Sequence, residues 1–567
     1  MENTVKRTPA DLFGFMRRHP YLLTVLLCAM LLPFGYADRA NINASSCVYL
    51  GVVAGIIAAG AIFIFNFGKT LLERFILCAV ILLCITAGML IIGLVPQKTL
   101  AISLIALIVA LAAALLLRRS NSLDDMTIIM LLILLGIAIR FVYILYTGSG
   151  DRQHDPGGWG TGSGHLGYIE YWNNENFKLP DFDVRTRWQF YHPPFHHWLM
   201  AILLSLLSAL GVPYQTAIEA LQILPMLYSS LTMIVAYRIF RLVSLKGKPL
   251  LAAMAIMCFH PTFILYAGAF NNDMLLMLFA TAAIMWGIRW FRAPVMSNII
   301  PLALCIGLGM MTKLSGWMVA PAVALMFLIV LIRNIKKPLK YIGQFVVFGV
   351  ICVPLGLWWQ VRNLLLYKVP LTYVPEIGTD NIMYSGNMSL AHRLFSLGGG
   401  YVYTAITYHD APYNEYNPTV GLFKTAVFDE GSNSISNLHY PRITVTGPIL
   451  FWISVILFLV CFVCFIAAMV KKSSGINGAE RAYFSLIFAV HLISYYMFAI
   501  SYPYACTFNI RYCMPLIPLC AMGLAMILQK SETSKKPAAL WFRRIMYAIT
   551  AAFCAMSWLV YTQVGIS

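Results

Sequence analysis

The chain is divided into uninterrupted apolar runs of about 20 residues, and runs of that length leave few structures open. As a helix rising 1.5 Å per residue, each matches the roughly 30 Å hydrocarbon core of a bilayer. In that medium a helix satisfies its own backbone hydrogen bonds, which an open strand cannot. Fifteen runs are read as spans: 20–36, 47–67, 75–95, 99–117, 126–146, 219–240, 250–267, 274–291, 298–312, 316–332, 341–359, 449–470, 481–500, 513–529 and 545–563. The expected fold is an all-α polytopic membrane protein. Composition agrees, with 60% hydrophobic and 11% charged residues and a mean hydropathy of +0.77. A soluble chain carries about 25% charged residues. The 13 cysteines lie mostly inside apolar runs and form no disulfide framework. Arg17 and Arg18 precede the first run as in a signal peptide, but Ala37 lacks a small-x-small cleavage context, so a span is expected there.

The 40 Lys and Arg exceed the 22 Asp and Glu by 18. These charges are sparse and scattered between apolar runs, a pattern of membrane orientation and not of nucleic-acid binding. Lys6/Arg7, Arg17/Arg18, Lys69/Arg74, Arg118/Arg119, Arg238 to Lys248, Arg289/Arg292, Arg333 to Lys340, Lys471/Lys472/Arg481 and Lys530 to Arg544 hold 26 of the 40. Fifteen spans put them all on the cytoplasmic side, with the N-terminus inside and the C-terminus outside, provided that 197–211 does not cross. That segment is read as a half-inserted or interfacial helix. Two long loops, 147–196 and 360–448, then share the outer face and hold 12 of the 22 acidic residues. Long polar loops on a rigid scaffold are where chemistry is expected.

The first loop opens GSGDRQHDPGGWGTGSGH, with Asp151 and Asp155 just beyond a span. A carboxylate here suits general-base work on a hydroxyl; the plainer account is a solvated loop whose Asp residues cap turns. The loop ends RWQFYHPPFHHW, where Pro193 and Pro194 stiffen the approach to a helix. His154, His165, His192, His196 and His197 keep a divalent metal as a lesser reading. Adjacent helical residues point about 100° apart, and no HExxH or CxxC spacing occurs, so no metal site and no obligatory cofactor are expected. FHPTFILYAGAFNNDMLL brings Asp273 to the outer end of a span, GLGMMTKLSGW brings Lys313 to the turn of a tight hairpin, WWQVRN brings Arg362 to the start of the second loop, and TFNIRYCMPLIP brings Arg511 to the outer start of a late span. Arg140 lies within the fifth span, where an ionisable residue is costly enough to be a functional candidate. Isolated cations at that depth suit the phosphate of a lipid-linked substrate, and carboxylates above them suit activation of an acceptor hydroxyl. Helix capping for Asp273 and snorkelling for Lys313 are the plainer accounts.

In their order along the chain, RQHD with GHLGYIEYW, YHPPFHHW, FHP…NND, GLGMMTK, WWQVRN and FNIRYCMP resemble the GT-C glycosyltransferases, in particular bacterial relatives of protein O-mannosyltransferases and of lipid A aminoarabinose transferase. The resemblance covers 126–563 and implies a GT-C-like core of about eleven spans with two long outer-face loops, and four extra N-terminal spans outside it. The domain division expected is 1–117, an extension of unknown role, and 118–567, the transferase core. The implied activity moves a hexose or pentose from a polyprenyl-phosphate donor to a lipid, glycan or protein acceptor on the outer side of a bacterial cell membrane, with inversion. By the same resemblance Asp155 is the catalytic base with Asp151 second, Asp273 matches the acidic residue after the second core span, and His192 and Arg362 contact the donor phosphate. Two departures stand out. Gly164–His165 replaces the acidic pair of many relatives, and Tyr191-His192-Pro193-Pro194 replaces Glu-Lys-Pro-Pro, which argues against aminoarabinose. Two other classes fit the sequence less well: a transporter or flippase of lipid-linked sugars, which needs charges at mid-membrane, and a non-catalytic envelope assembly subunit.

Overall fold

The computed structural model describes residues 19–31, 51–58, 60, 70–94, 97–119, 123–149, 155–397, 415–429, 443–470 and 475–563. Asp151 and His154 lie outside the described residues. Among those described there is no strand, only two isolated bridges. The N-terminal helices are α1 (Pro20–Leu31), α2 (Leu71–Leu94) and α3 (Lys98–Arg119). Then come α4 (Asp125–Tyr146), α5 (Gly164–Asn174), α6 (Phe195–Ala209), α7 (Tyr214–Ala220), α8 (Ile223–Leu242), α9 (Gly247–Phe259) and α10 (Pro261–Leu265). Next are α11 (Asp273–Arg292), α12 (Met296–Thr312), α13 (Ala320–Arg333) and α14 (Leu339–Tyr367). The chain ends with α15 (Leu390–Phe395), α16 (Pro418–Phe428), α17 (Ile443–Val470), α18 (Gly478–Ser501), α19 (Leu516–Glu532) and α20 (Pro537–Gln563).

Ten helical stretches among the described residues are long and apolar enough to cross a membrane, so this is a multi-pass membrane protein. The expected spans 298–312 and 513–529 appear as α12 and α19, of 17 residues each. α19 packs between α9 and α17, and its core-facing length from Leu516 to Met526 is buried, so protein more than lipid sets its length. Expected span 47–67 is described only in part. α14 runs on past the expected loop start at 360, through Arg362 to Tyr367, and stops where Lys368 turns left-handed (φ 56°). α6 is shorter than the ten long apolar helices. Its 15 residues reach about 22 Å, and both its ends meet the first loop, the N-terminal one through His197 Nε2, 2.9 Å from His165 Nδ1 of α5. His196 bonds the Phe270 carbonyl at 2.9 Å, Ser205 bonds Asn173 of α5, and Tyr214, just beyond, bonds Glu170 of α5. Ile202, Leu206 and Leu210 stay exposed along its outer side.

The expected span 250–267 is broken, and Arg140 sits in the break. Pro261 has no N–H, so the Met257 carbonyl loses its helical donor. Thr262 N–H turns instead to His260 Nδ1 (3.3 Å), which frees the Cys258 carbonyl. The buried Arg140 guanidinium of α4 donates to both, at 3.4 and 2.8 Å, and to Ser229 Oγ of α8 at 2.7 Å. Ser229 Oγ in turn donates to the Phe263 carbonyl at 2.7 Å. Arg140 is thus the plug of a broken helix, and the broken helix leads the chain to α11. Hydrogen bonds from a charged donor contribute about 1.5–3 kcal/mol each. Arg140→Met is therefore expected to lower the melting temperature in detergent clearly, measured by a thermal scan; an unchanged transition would mean that the carbonyls find other donors.

Helix ends sort to two ends of the bundle. At one, Arg292 of α11 pairs with Glu480 of α18 (2.5 Å), Gln529 of α19 donates to the Ser244 carbonyl (3.1 Å), and Gly247 N–H donates to Asp125 of α4 (3.0 Å). At the other lie the C-terminal ends of α4, α12, α14 and α18 and the N-terminal ends of α11 and α19, and there the polar cavity forms.

Candidate active site

The first loop is tightly built where it is described. Asp155 adopts a left-handed backbone (φ 50°), which Asp tolerates better than most residues. The chain then folds back so that Gly164 lies against Pro156 and Gly157. A Cβ on Gly164 would sit 2.2 Å from the Gly157 nitrogen, so only glycine fits. This contact lets His165 N–H donate to the Asp155 carbonyl (3.2 Å) and Leu166 N–H to that of Pro156 (2.9 Å). The buried Glu170 carboxylate accepts from Gly160 N–H (2.5 Å) and from the Tyr214 hydroxyl. Glu219 accepts from the Ser149 backbone and hydroxyl, the latter at 2.7 Å. A freely solvated loop is thus not what residues 155–174 form.

Three other elements bring charges to Asp155. Asp273 begins α11, where its N–H is capped by Asn271 (3.1 Å), and Asn272 donates to the Thr312 carbonyl (2.9 Å), tying the start of α11 to the end of α12. Lys313 follows directly, extended between α12 and the short 3-10 turn Leu314–Val319. The hairpin is this tight because Gly316 lies on Gly309: a Cβ there would come within 2.5 Å of the Gly309 carbonyl carbon. Arg511 comes from the 3-10 turn Ile510–Tyr512, capped by Asn509 and held by Ile510 N–H on Thr425 Oγ1 of α16 (2.9 Å). The result is a chain of ion pairs. Lys313 Nζ is 2.5 Å from Asp273 Oδ1, Arg511 Nη1 is 4.0 Å from Asp273 Oδ2, and Arg511 Nη2 is 3.5 Å from Asp155 Oδ2. The Tyr512 ring lies beside both cations, 5.2 Å from Lys313 Nζ and 5.0 Å from the Arg511 guanidinium carbon.

These groups form the polar end of a cavity of about 480 Å³. Its remaining wall is largely apolar, with Leu314, Trp317, Met318, Leu371, Met497 and Phe498. The two carboxylates differ in access: the Asp155 side chain keeps 36% of its exposure and that of Asp273 keeps 2%. Asp155 is therefore the carboxylate that a reactant in the cavity can reach. His192 and His165 share the polar wall with their rings 6.0 Å apart and within 8° of parallel. Burial holds both imidazoles well below their ordinary titration range. For His192 the Lys313 charge adds to this, and for His165 the neighbouring His192 and His196 add first. Both are neutral at pH 7 and act as single donors and acceptors.

Of the residues singled out from sequence, the cavity gathers Asp155, His165, His192, Asp273, Lys313 and Arg511. Arg362 is not among its lining residues. Its guanidinium donates to the Pro180 carbonyl and to Asn363 Oδ1 (2.7 Å) and lies against the Trp359 and Tyr367 rings, joining α14 to the first loop. Residues not singled out also line the cavity: Tyr191, Gln360, Asn363, Tyr373 and Tyr512. Among the described residues no three His, Cys, Asp or Glu side chains are grouped as a metal ion would require.

Residues 191–359, from YHPP to WW, match the family described as dolichyl-phosphate-mannose-protein mannosyltransferase. Comparison with curated proteins gives no match. Among solved structures, ArnT from Cupriavidus metallidurans in the apo state is 14% identical with a TM-score of 0.43, over 77% of this chain and 76% of that one. The archaeal oligosaccharyltransferase AglB from Archaeoglobus fulgidus, solved with an inhibitory peptide and a dolichol-phosphate, is 12% identical with a TM-score of 0.45, over 77% of this chain. This chain spans 56% of the length of AglB. The family match begins at the residue before His192 and takes in Asp273 and Lys313, so it covers part of the cavity wall, while Asp155, His165 and Arg511 lie outside it. The family likeness is thus to a mannosyltransferase, over that segment of the chain.

Proposed function

We propose that the protein transfers a sugar from a polyprenyl-phosphate-linked donor to a hydroxyl acceptor at the non-cytoplasmic face of a bacterial cell membrane, with inversion at the anomeric carbon. The observation that carries this reading is the continuity of the cavity, in which an apolar wall meets two cations and an accessible carboxylate. A lipid-linked sugar phosphate has this same division of chemistry along its length. In the reaction, the bond from the anomeric carbon to the phosphate oxygen breaks and its electron pair stays with the phosphate. A new bond forms to the acceptor oxygen, whose proton passes to Asp155. The leaving phosphate needs only electrostatic stabilisation, from Lys313, Arg511 and a His192 N–H, so no second carboxylic acid is needed, unlike a glycoside hydrolase. Asp273 keeps the two cations in place. Arg362 then serves by bracing α14 against the first loop. The sugar, hexose or pentose, and the acceptor, lipid, glycan or protein, are open to assay. The orientation rests on the basic residues at the opposite end of the bundle.

The test is native mass spectrometry of the purified protein for a co-purifying polyprenyl-phosphate sugar, followed by transfer from that donor in vesicles. Absence of both would overturn the reading. Orientation is tested separately, by thiol labelling at Thr161→Cys and Ser244→Cys in intact cells. The two sites are expected to label from opposite sides, and labelling of both from one side would remove the assignment of the cavity to the outer face.

A further inference from the structure

His165 and His197 stand beside the ion cluster and have no part in the reaction as described above. They are 3% and 0% exposed, and Nδ1 of His165 lies 2.9 Å from Nε2 of His197. Their rings are within 5° of coplanar, and Tyr168 packs 4.4 Å from the His197 ring, fixing it. Two neutral imidazoles joined in this way share one proton between the facing nitrogens, so one is the donor. Nδ1 of His197 is buried with no hydrogen-bond partner. A proton there would leave an orphaned N–H in the core, and buried N–H groups are orphaned more rarely than acceptors. The proton of His197 therefore sits on Nε2 and is donated to His165. It follows that His165 carries its own proton on Nε2, the ring nitrogen His197 leaves untouched, and His165 lines the cavity.

The cavity has use for such a donor. Among the described residues two carboxylates, Asp155 and Asp273, balance two cations, Lys313 and Arg511, and each cation is already engaged by a carboxylate. An incoming phosphate gains most from donors that bring no competing anion with them, and a hydrogen bond to a charged oxygen is stronger than one between neutral groups. We propose that His165 is a phosphate-binding residue: His197 sets its tautomer, and Nε2–H donates to a phosphate oxygen of the lipid-linked donor. This rests on the transferase reading and extends it to two residues outside the ion cluster. His197 acts through His165 and is a positioning residue.

The probe is undecaprenyl phosphate, which carries lipid and phosphate but no sugar, titrated into the purified full-length protein in detergent. His165→Leu is expected to weaken binding about tenfold to a hundredfold. His165→Gln, whose amide N–H reaches close to where Nε2–H sits, should retain most of it. His197→Gln keeps a donor to His165 and should bind as wild type does. His197→Phe releases the tautomer and should weaken binding in proportion to the fraction of His165 that leaves the Nε2–H form. A purely structural pair would instead shift the melting temperature in all four variants and leave affinity alone. If His165→Leu does not fold, the His197→Phe and His197→Gln contrast decides. Binding by His165→Leu within about twofold of wild type, or equal losses in His165→Gln and His165→Leu, would overturn the proposal. Failure of the wild-type protein to bind undecaprenyl phosphate would count against the transferase reading itself.

Discussion

Asp155→Asn is expected to lower turnover by about 10²–10⁴-fold, the usual contribution of positioned proton transfer, with donor affinity nearly unchanged. The substitution keeps the size of the side chain and its ability to bond Arg511, and it removes only the basic oxygen. The choice of Asp155 over Asp273 follows from access. Asp273 is buried to 2%, bonded to Lys313 at 2.5 Å and capped into the first turn of α11, so its oxygens are committed to holding cations. Asp155 keeps 36% of its exposure and meets Arg511 at the longer distance of 3.5 Å, which leaves an oxygen for an acceptor hydroxyl. Asp273→Asn should therefore behave differently. It loosens Lys313 and Arg511 and is expected to raise the donor KM as well as lower kcat. A transfer assay on both variants in one membrane preparation, with donor concentration varied, separates the two roles. Full turnover in Asp155→Asn would return the first loop to a purely structural role.

Much of this arrangement could be read from sequence because it depends on chain order and charge. The apolar runs define the helices, and the alternation of basic ends assigns Asp155, Asp273, Lys313 and Arg511 to one end of the bundle before any packing is known. What could not be read depends on angles within helices and on breaks in them. WWQVRN shows the first. Because the helix continues through it to Tyr367, Gln360 and Asn363 lie three residues apart on one face, and both line the cavity. Arg362, about 200° around from Gln360, points elsewhere and finds the Pro180 carbonyl. Treating Gln360 as the end of the helix hid that periodicity. FHP shows the second. Pro261 announces a break, but nothing in the local sequence says that an arginine 121 residues earlier will close it. Arg140 therefore looks like a site residue by membrane cost alone, and its partners are carbonyls and the Ser229 hydroxyl. His165 shows a third kind of loss. Its place beside Asp155 depends on the close approach of Gly164 to Gly157, which is a property of the folded turn.

Arg511→Ala is expected to reduce affinity for undecaprenyl phosphate by about thirtyfold or more, since truncating one member of a buried charge network costs about 2–5 kcal/mol. The reason is a change in sign as well as a lost contact. With the histidines neutral, the described residues of the polar end set Asp155 and Asp273 against Lys313 and Arg511, and these four charges cancel. Removing Arg511 leaves these described charges net negative toward an anionic ligand and frees Asp155 from its one cation among the described residues. Arg511→Lys restores the charge but reaches one oxygen at a time, because an ammonium lacks the guanidinium fork, so partial recovery is expected. The sharper test adds Asp273→Asn to Arg511→Ala. The double variant is again neutral, with Lys313 released from its carboxylate and available to the phosphate, so it should bind more tightly than Arg511→Ala alone. Residues in one ionic network are not additive, and a coupling of that sign distinguishes an electrostatic role from a packing role. If Arg511→Ala binds as wild type does, the phosphate is held elsewhere. If the double variant is weaker than either single one, charge balance is not what governs the cavity, and the contacts of Arg511 with Tyr512 and Asp155 would then carry its effect.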